Sequence, residues 1–425
     1  MTETSITEST ETASGTGTTG SAFATAAARY RPIFARIAAG ALDRERNRTL
    51  PTEQIGWLKD AGFGAVRIPV ELGGDGLTWP ELTTLLIELA AADSNLPQAL
   101  RAHIALVEEN LVRRRRGEDR GVWLERFAAG QLAGNAWTEP GAGGTATILE
   151  DTPSGPTLTG RKYYTTGTIF ADWIDVTARR PDGTDVSVVI ATTTPGVRTD
   201  DDWDGFGQRL TGSGTTEFTA AAVDPANVSP FADRFPYQTA LYQHLLLVAL
   251  AGIGRAVVVD AAEQVRRRTR VFGHGNADLV RDDAQILAVV GEISAQAYAA
   301  EATTLRAAHS LQAAFAATGG AREREAVVAT ELETGQAQIV LSRLVPEAAG
   351  ALFDALGASS TSQSRALDRH WRNARTVATH NPFIYKARIV GDREVNGTEP
   401  PLIWTIGEAD ADRRAARDRQ PTVVG

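Results

Sequence analysis

The run LYQHLLLVALAGIGRAVVVDAAEQVRRRTR (Leu241–Arg270) contains no proline and is apolar or small along most of its length, closing on a basic cluster. An unbroken stretch of this length predicts one long helix, and its Ala and Leu content predicts burial on several faces. Two further runs read the same way: DDAQILAVVGEISAQAYAAEATTLRAAHSLQAAF (Asp282–Phe315) and REREAVVATELETGQAQIVLSRLVPEAAGALFDAL (Arg322–Leu356). With a shorter helix around residues 365–376, they predict a C-terminal four-helix bundle over residues 235–395.

Upstream the pattern changes. Residues 131–234 hold short alternating runs such as RKYYTTG, DWIDVTARR, DVSVVIATTT and TTEFTAAAV, broken by Gly and Pro. They predict a small antiparallel β domain. Residues 21–130 read as helical, with TEQIGWLKDAG stopped at Gly62, a second helix over Pro80–Ala92 and a third over Pro97–Arg113. Residues 1–20 are almost all Thr, Ser, Gly, Ala and Glu and are expected to be disordered; residues 396–425 form a C-terminal tail. The predicted class is α+β, in the order helices, sheet, helical bundle.

Composition narrows the function. The 425-residue chain has a formal net charge of −9 and no cysteine. An acidic surface gives no electrostatic reason to bind nucleic acid or anionic lipid. Without cysteine there is no disulfide, no thiolate catalysis and no cysteine-ligated metal. No histidine pair has helical metal-binding spacing with a carboxylate partner, so no metal is expected. No stretch reads as a membrane span or signal peptide, and a cytoplasmic location is expected.

Local motifs then point to a family. WTEPGAGG (Trp137–Gly144), KYYTTG (Lys162–Gly167), GQRLTGSGTTEF (Gly207–Phe218), FGHG (Phe272–Gly275) and DRHWRNAR (Asp368–Arg375) occur in this order. The chain resembles the acyl-CoA dehydrogenase superfamily over about residues 25–395. Its departures are as informative. The dehydrogenases use a Glu base, in either of two positions, to remove a proton α to a thioester. Here the C-terminal stretch TVATHNPFIYKARIVGDREVNG has no carboxylate before Asp392, and the alternative position holds His244 beside Gln243. NARTVATHNPFIYKARIVGDREVNG (Asn373–Gly397) and DDWDGFGQRLTGSGTTEF (Asp201–Phe218) are similar to the dibenzothiophene monooxygenase-like subgroup of two-component flavin monooxygenases. That subgroup often carries two histidines in the C-terminal motif; here the first position is Val377 and only His380 remains.

The resemblance implies a reduced-FMN-dependent monooxygenase. Such an enzyme forms a flavin C4a-hydroperoxide with O2 and oxygenates a small organosulfur, amine or aromatic substrate. No dinucleotide-binding GxGxxG follows a strand, so a separate NAD(P)H:flavin reductase is the expected partner. FAD is the less expected flavin, because GASSTSQSR (Gly357–Arg365) sets hydroxyls and an arginine where FAD-binding relatives have glycines. Ser359, Ser360 and Arg369 are candidate ligands of a terminal phosphate, with Arg270 preferred to Arg268 as a further one. Asn135, Trp137, Thr138, Thr165 and Ser213 are candidate flavin contacts, and Trp203 is either a wall of the flavin pocket or a core aromatic. His103, His380 and Thr165 are the candidate catalytic residues, His244 is a weaker one, and His274, His309 and His370 read as surface or interface residues. The family also implies a homotetramer. An FAD-dependent acyl-CoA dehydrogenase with an unrecognised base and a non-catalytic scaffold remain as alternatives.

Overall fold

The computed structural model describes residues 19–139 and 147–403. Seven helices form the N-terminal layer: α1 (Thr19–Ala39), α2 (Ala41–Asn47), α3 (Thr52–Asp60), α4 (Trp79–Ala92), α5 (Asn95–Ala99), α6 (Arg101–Arg115) and α7 (Gly121–Ala128). The strands follow: β1 (Ala133–Ala136), β2 (Ile148–Thr152), β3 (Gly155–Lys162), β4 (Trp173–Arg179), β5 (Asp185–Ala191), β6 (Val197–Thr199), β7 (Thr216–Ala222) and β8 (Val228–Pro230). The C-terminal layer holds α8 (Gln238–Arg267), α9 (Ala284–Ala317), α10 (Glu323–Leu356), α11 (Arg369–Thr379) and α12 (Phe383–Asn396).

Local chemistry explains where the main helices begin. The α4 start is a capping box, in which the Glu81 carboxylate accepts from both the backbone N–H and the hydroxyl of Thr78. Asp283 caps α9 by accepting from the backbone of Gln285 and Ile286. Helix α8 is buried almost all round between Leu245 and Gly254 because it packs on α4, α9 and α10 at once. Gly252 lets α4 approach: a Cβ there would lie 2.2 Å from the Cβ of Ala90.

Three expectations need correction. The sheet is mixed, not purely antiparallel: its path runs β6-β7-β3-β2-β4-β5-β8, and β1 pairs in parallel with β4 in the register Asn135 to Asp175. The C-terminal layer has a fifth helix beyond the four expected, α12, whose Lys386 reaches the buried Glu331 of α10 at 2.7 Å. Helix α8 is long and apolar enough to cross a membrane, but 67% of its apolar window is buried inside the protein, and that burial accounts for its hydropathy. The Thr- and Ser-rich residues 1–18 lie outside the described residues, and Thr19 and Gly20 already belong to α1.

Candidate active site

Strand β1 pairs with β4 and ends beside the first turns of α8. Asn135 is buried there and its side-chain Oδ1 has no hydrogen-bond partner. Just beyond, the Trp137 ring lies 4.9 Å from that of Tyr242 on α8, and the Arg234 guanidinium sits 4.6 Å above its centre. Trp137 Nε1 donates to Asp175, which Arg234 also holds at 3.0 Å. Burial raises the Asp175 carboxyl above its ordinary range, against the pull of Arg234. Thr138 pairs its backbone carbonyl with the N–H of Tyr163, and its side chain is half-buried. Lys162 joins the first two sequence motifs: its ammonium donates to the Trp137 carbonyl and pairs with Glu139. Pro140–Gly144, the rest of that loop motif, lie outside the described residues.

A chain of hydroxyls flanks this corner. The Thr165 hydroxyl donates to the Gly214 carbonyl at 2.9 Å and accepts from Thr216. Ser213 bridges the hydroxyls of Thr166 and Thr211, each at 2.7 Å. Thr165 therefore has its proton engaged by the backbone, which fits a positioning role better than proton transfer. Trp203 is half-buried; its indole N–H donates to the Gly207 carbonyl and its ring meets the exposed ring of Tyr164 edge-on at 5.7 Å.

The helices supply the opposite wall. Arg101, the first residue of α6, donates from Nη1 to Nε2 of His380 at 3.1 Å. His380 ends α11, and Asn381 beside it donates to Gln243 on α8. His380 is exposed to solvent on one side. Protein atoms crowding its ring, and then the Arg101 charge, lower its pKa below the ordinary histidine value. Burial lowers Arg101 itself to about 10. The Arg101 Nε, the Tyr242 hydroxyl and Gln98 Oε1 are buried without partners. Orphaned polar atoms gathered from several elements are what a site prepared for a polar ligand leaves behind.

His103 is elsewhere. Its Nε2 donates to the Gly64 carbonyl at 2.8 Å, and its Nδ1 accepts from the Ala133 N–H at 3.3 Å. Fully buried against Phe127, with pKa lowered by burial to about 4, it is a neutral strut between α6 and β1 with both nitrogens occupied. It has no free atom to offer a ligand. His244 is likewise buried, bonded to Thr83, and lowered by burial to about 3. His370 is not a surface residue: it is buried and shares Asp260 with Arg369.

A second locus lies at the far end of the bundle. Arg268, Arg365, Ser359 and Gln264 line a small basic cleft. Ser359 faces this cleft, whereas the Ser360 hydroxyl turns inward to the Gly357 carbonyl. Arg369 is committed to Asp260 and Arg270 is exposed outside the cleft; the arginines that line it beside Ser359 are Arg267, Arg268 and Arg365.

The N-terminal acyl-CoA dehydrogenase domain model matches residues 25–131, and the C-terminal one matches residues 245–384. The chain belongs to the acyl-CoA dehydrogenase superfamily. Within it, the chain is 27% identical over 393 residues to a dibenzothiophene monooxygenase of Mycolicibacterium goodii, covering 84% of this chain and 91% of that one. It is also 27% identical to a probable FMNH2-dependent monooxygenase, SfnC, of Pseudomonas putida, covering 87% and 94%. The crystal structure of FMN-bound TdsC from Paenibacillus sp. A11-2 superposes with a TM-score of 0.81 at 26% identity, covering 89% of this chain and 99% of that one.

Superfamily motifs far apart in sequence meet in space. Asn373 of the NAR segment accepts from the Gln208 N–H of the GQRL segment at 2.6 Å, and Gln208 Nε2 reaches Ser94 of the N-terminal layer. The sequence reading missed Arg101, Tyr242 and Gln98. A signal was available for the first: an arginine inside LPQALRAHIALV, where every neighbour reads as buried.

Proposed function

We propose that this chain is the oxygenase component of a two-component, FMNH2-dependent monooxygenase acting on a small organosulfur, amine or aromatic compound. The observation that carries the reading is that His380, held by Arg101, and the buried His244 occupy the two neighbourhoods where a dehydrogenase of this superfamily needs a carboxylate. A guanidinium cannot take up a proton and an imidazole with a lowered pKa is a weak base for α-proton removal, but the two can bind and orient a substrate.

The residues present suit a flavin. Asn135 Oδ1 offers an unused acceptor, the rings of Tyr164 and Trp203 form an accessible aromatic edge, and Arg268, Ser359 and Arg365 offer a phosphate-sized basic cleft. Asn135, Thr138, Trp203 and the Thr165–Ser213 hydroxyl chain would hold the ring system. The basic cleft lies about 33 Å along α8 from Tyr242 and would take the phosphate of a flavin whose ring sits in a neighbouring subunit. Reduced FMN, when bound, supplies two electrons and activates O2, so that one oxygen atom goes to the substrate and the other leaves as water. The protein's own part is to exclude water and to hold the substrate against the α6 and α8 wall. His380, neutral at working pH, accepts from Arg101 through Nε2 and keeps its proton on Nδ1. A separate NAD(P)H:flavin reductase supplies the reduced flavin. The exposed Leu287 and Tyr298 on α9 and Val340 on α10 support a homotetramer packed through the bundle, which light scattering would test.

The test is to combine purified protein, NADH, a flavin reductase and 18O2 with dibenzothiophene, indole and an amino sugar as probes. One 18O atom in a product is expected. Hydrogen peroxide as the sole product with every probe, together with bleaching of bound FAD by an acyl-CoA, would overturn the assignment.

A further inference from the structure

Five arginines are buried among the described residues. Four of them face a carboxylate within 3.1 Å: Arg44 with Asp93, Arg67 with Glu108, Arg113 with Glu109 and Arg234 with Asp175. Arg101 is the exception. It is 5% exposed, makes no ion pair with any described residue, and spends one donor on the neutral His380. Its Nε has no partner. The Tyr242 ring lies 5.5 Å from the guanidinium carbon, and the Tyr242 hydroxyl also has no partner.

A guanidinium removed from water and left unpaired is unfavourable unless something else supplies the negative charge. The rest of this protein solves that problem four times with an internal carboxylate. At Arg101 it does not. The planar fork of Arg101 and the phenol beside it are hydrogen-bond donors, and a planar fork is suited to a pair of oxygens sharing one negative charge. We infer that Arg101 and Tyr242 form an oxyanion-binding subsite, and that the substrate carries a sulfinate- or carboxylate-type head seated there. The inference rests on the cleft being the substrate side of the proposed monooxygenase. It narrows the substrate from small organic compounds in general to anionic ones. His380 then lies next to the seated head and shapes it without neutralising it.

The same donors could serve an anionic flavin instead of a substrate, and the experiment separates the two sources. Benzenesulfinate and its neutral analogue methyl phenyl sulfone share the ring and the two sulfur-bound oxygens. Calorimetric titration of the full-length protein, without FMN and then with it, compares their affinities. The sulfinate is expected to bind at least about tenfold tighter than the sulfone. Arg101→Met is expected to erase that preference while leaving FMN affinity within about twofold. Tyr242→Phe is expected to weaken the sulfinate by roughly three- to tenfold and leave the sulfone unchanged. Should Arg101→Met fail to fold, Arg101→Lys and Tyr242→Phe carry the test, with the lysine variant keeping part of the preference. Equal binding of the two probes to the native protein would overturn the inference. So would a preference that survives Arg101→Met, or loss of FMN affinity in that variant with sulfinate binding intact. Failure of the monooxygenase reading is distinguishable, because it removes 18O incorporation and leaves the binding preference in place.

Discussion

Arg101 Nη1 lies 3.1 Å from Nε2 of His380, across 279 positions of sequence. A guanidinium has no acceptor, so this contact fixes the tautomer: Nε2 accepts, and Nδ1 carries the proton toward Asn381 Oδ1 at 3.4 Å. It also sets the charge. Crowding by protein atoms is the larger cause of the lowered His380 pKa, and the fixed positive charge of Arg101 is the second. Arg101→Met removes only the second. The His380 pKa is therefore expected to rise part of the way back toward its ordinary value near 6.5. Nitrogen-15 NMR of histidine-labelled protein reads this directly. An unchanged His380 titration in the variant would show that the two side chains are not coupled.

The buried Glu108 gathers three donors: Arg67, the indole N–H of Trp79 at 2.8 Å and the hydroxyl of Tyr237 at 2.7 Å. Burial and this carboxylate hold the Tyr237 hydroxyl protonated well above its ordinary range. Glu108→Gln leaves the Arg67 charge enclosed without a counter-ion. The expected loss is about 3–5 kcal/mol in urea unfolding, the usual result of removing one partner of a buried pair. The double variant Arg67→Met with Glu108→Leu is expected to recover much of it. A single variant as stable as the native protein would show that water reaches this cluster.

His103 and His244 give the protein an acid-sensitive stability. Their folded pKa values, lowered by burial to about 4 and about 3, lie below the unfolded value near 6.5. Above pH 6.5 both states are neutral and the two histidines add no pH dependence. As pH falls from 6.5 toward 4, the unfolded chain takes up protons that the folded chain refuses. Each histidine then removes up to about 1.4 kcal/mol of stability per pH unit. His103→Asn should lower stability at pH 7.5 through its lost bonds to Gly64 and Ala133, yet flatten the decline between pH 6 and 4.5 by close to one proton. Parallel slopes for variant and native protein would contradict the assignment.

Much of the architecture was readable because the bundle helices are long and unbroken, and because several motifs exist for contacts with one another. Gln208 and Asn373, or Lys162 and Trp137, stand in recognisable words since each word is one half of a joint. His103 was not legible for a physical reason. A sequence does not reveal whether a ring nitrogen already has a backbone partner, and His103 has two. The anion-binding candidates were hard to rank for a similar reason. Whether Arg369 or Arg365 is free depends on Asp260, which lies 109 positions from Arg369 and in no motif. The parallel pairing of β1 escaped because a four-residue strand buried throughout shows no alternation.

Gly207 tests how firmly the joint between two of these words holds. A Cβ at this position would lie 2.2 Å from the Arg372 carbonyl oxygen and 2.4 Å from Thr376 Oγ1, both on α11. The first contact is with backbone, so a side-chain rotation cannot relieve it. The adjacent Gln208 N–H is held by Asn373 at 2.6 Å, and the Phe206 carbonyl accepts from Arg372 at 2.8 Å, which fixes the loop on both sides of the glycine. Gly207→Ala must therefore push α11 away from the 206–213 loop. That displaces the helix that ends in His380 and the hydroxyl chain at Ser213 together. The expected cost is about 2–4 kcal/mol in thermal or urea unfolding, with faster proteolysis in the loop. Asn373→Ala, which removes one bond without a clash, is expected to cost less, about 1–3 kcal/mol. The ordering of the two variants is the discriminating result. If Asn373→Ala proved the more damaging, the loop would be held by its hydrogen bond rather than by close approach, and α11 would tolerate a shift that the packing around Gly207 says it cannot make.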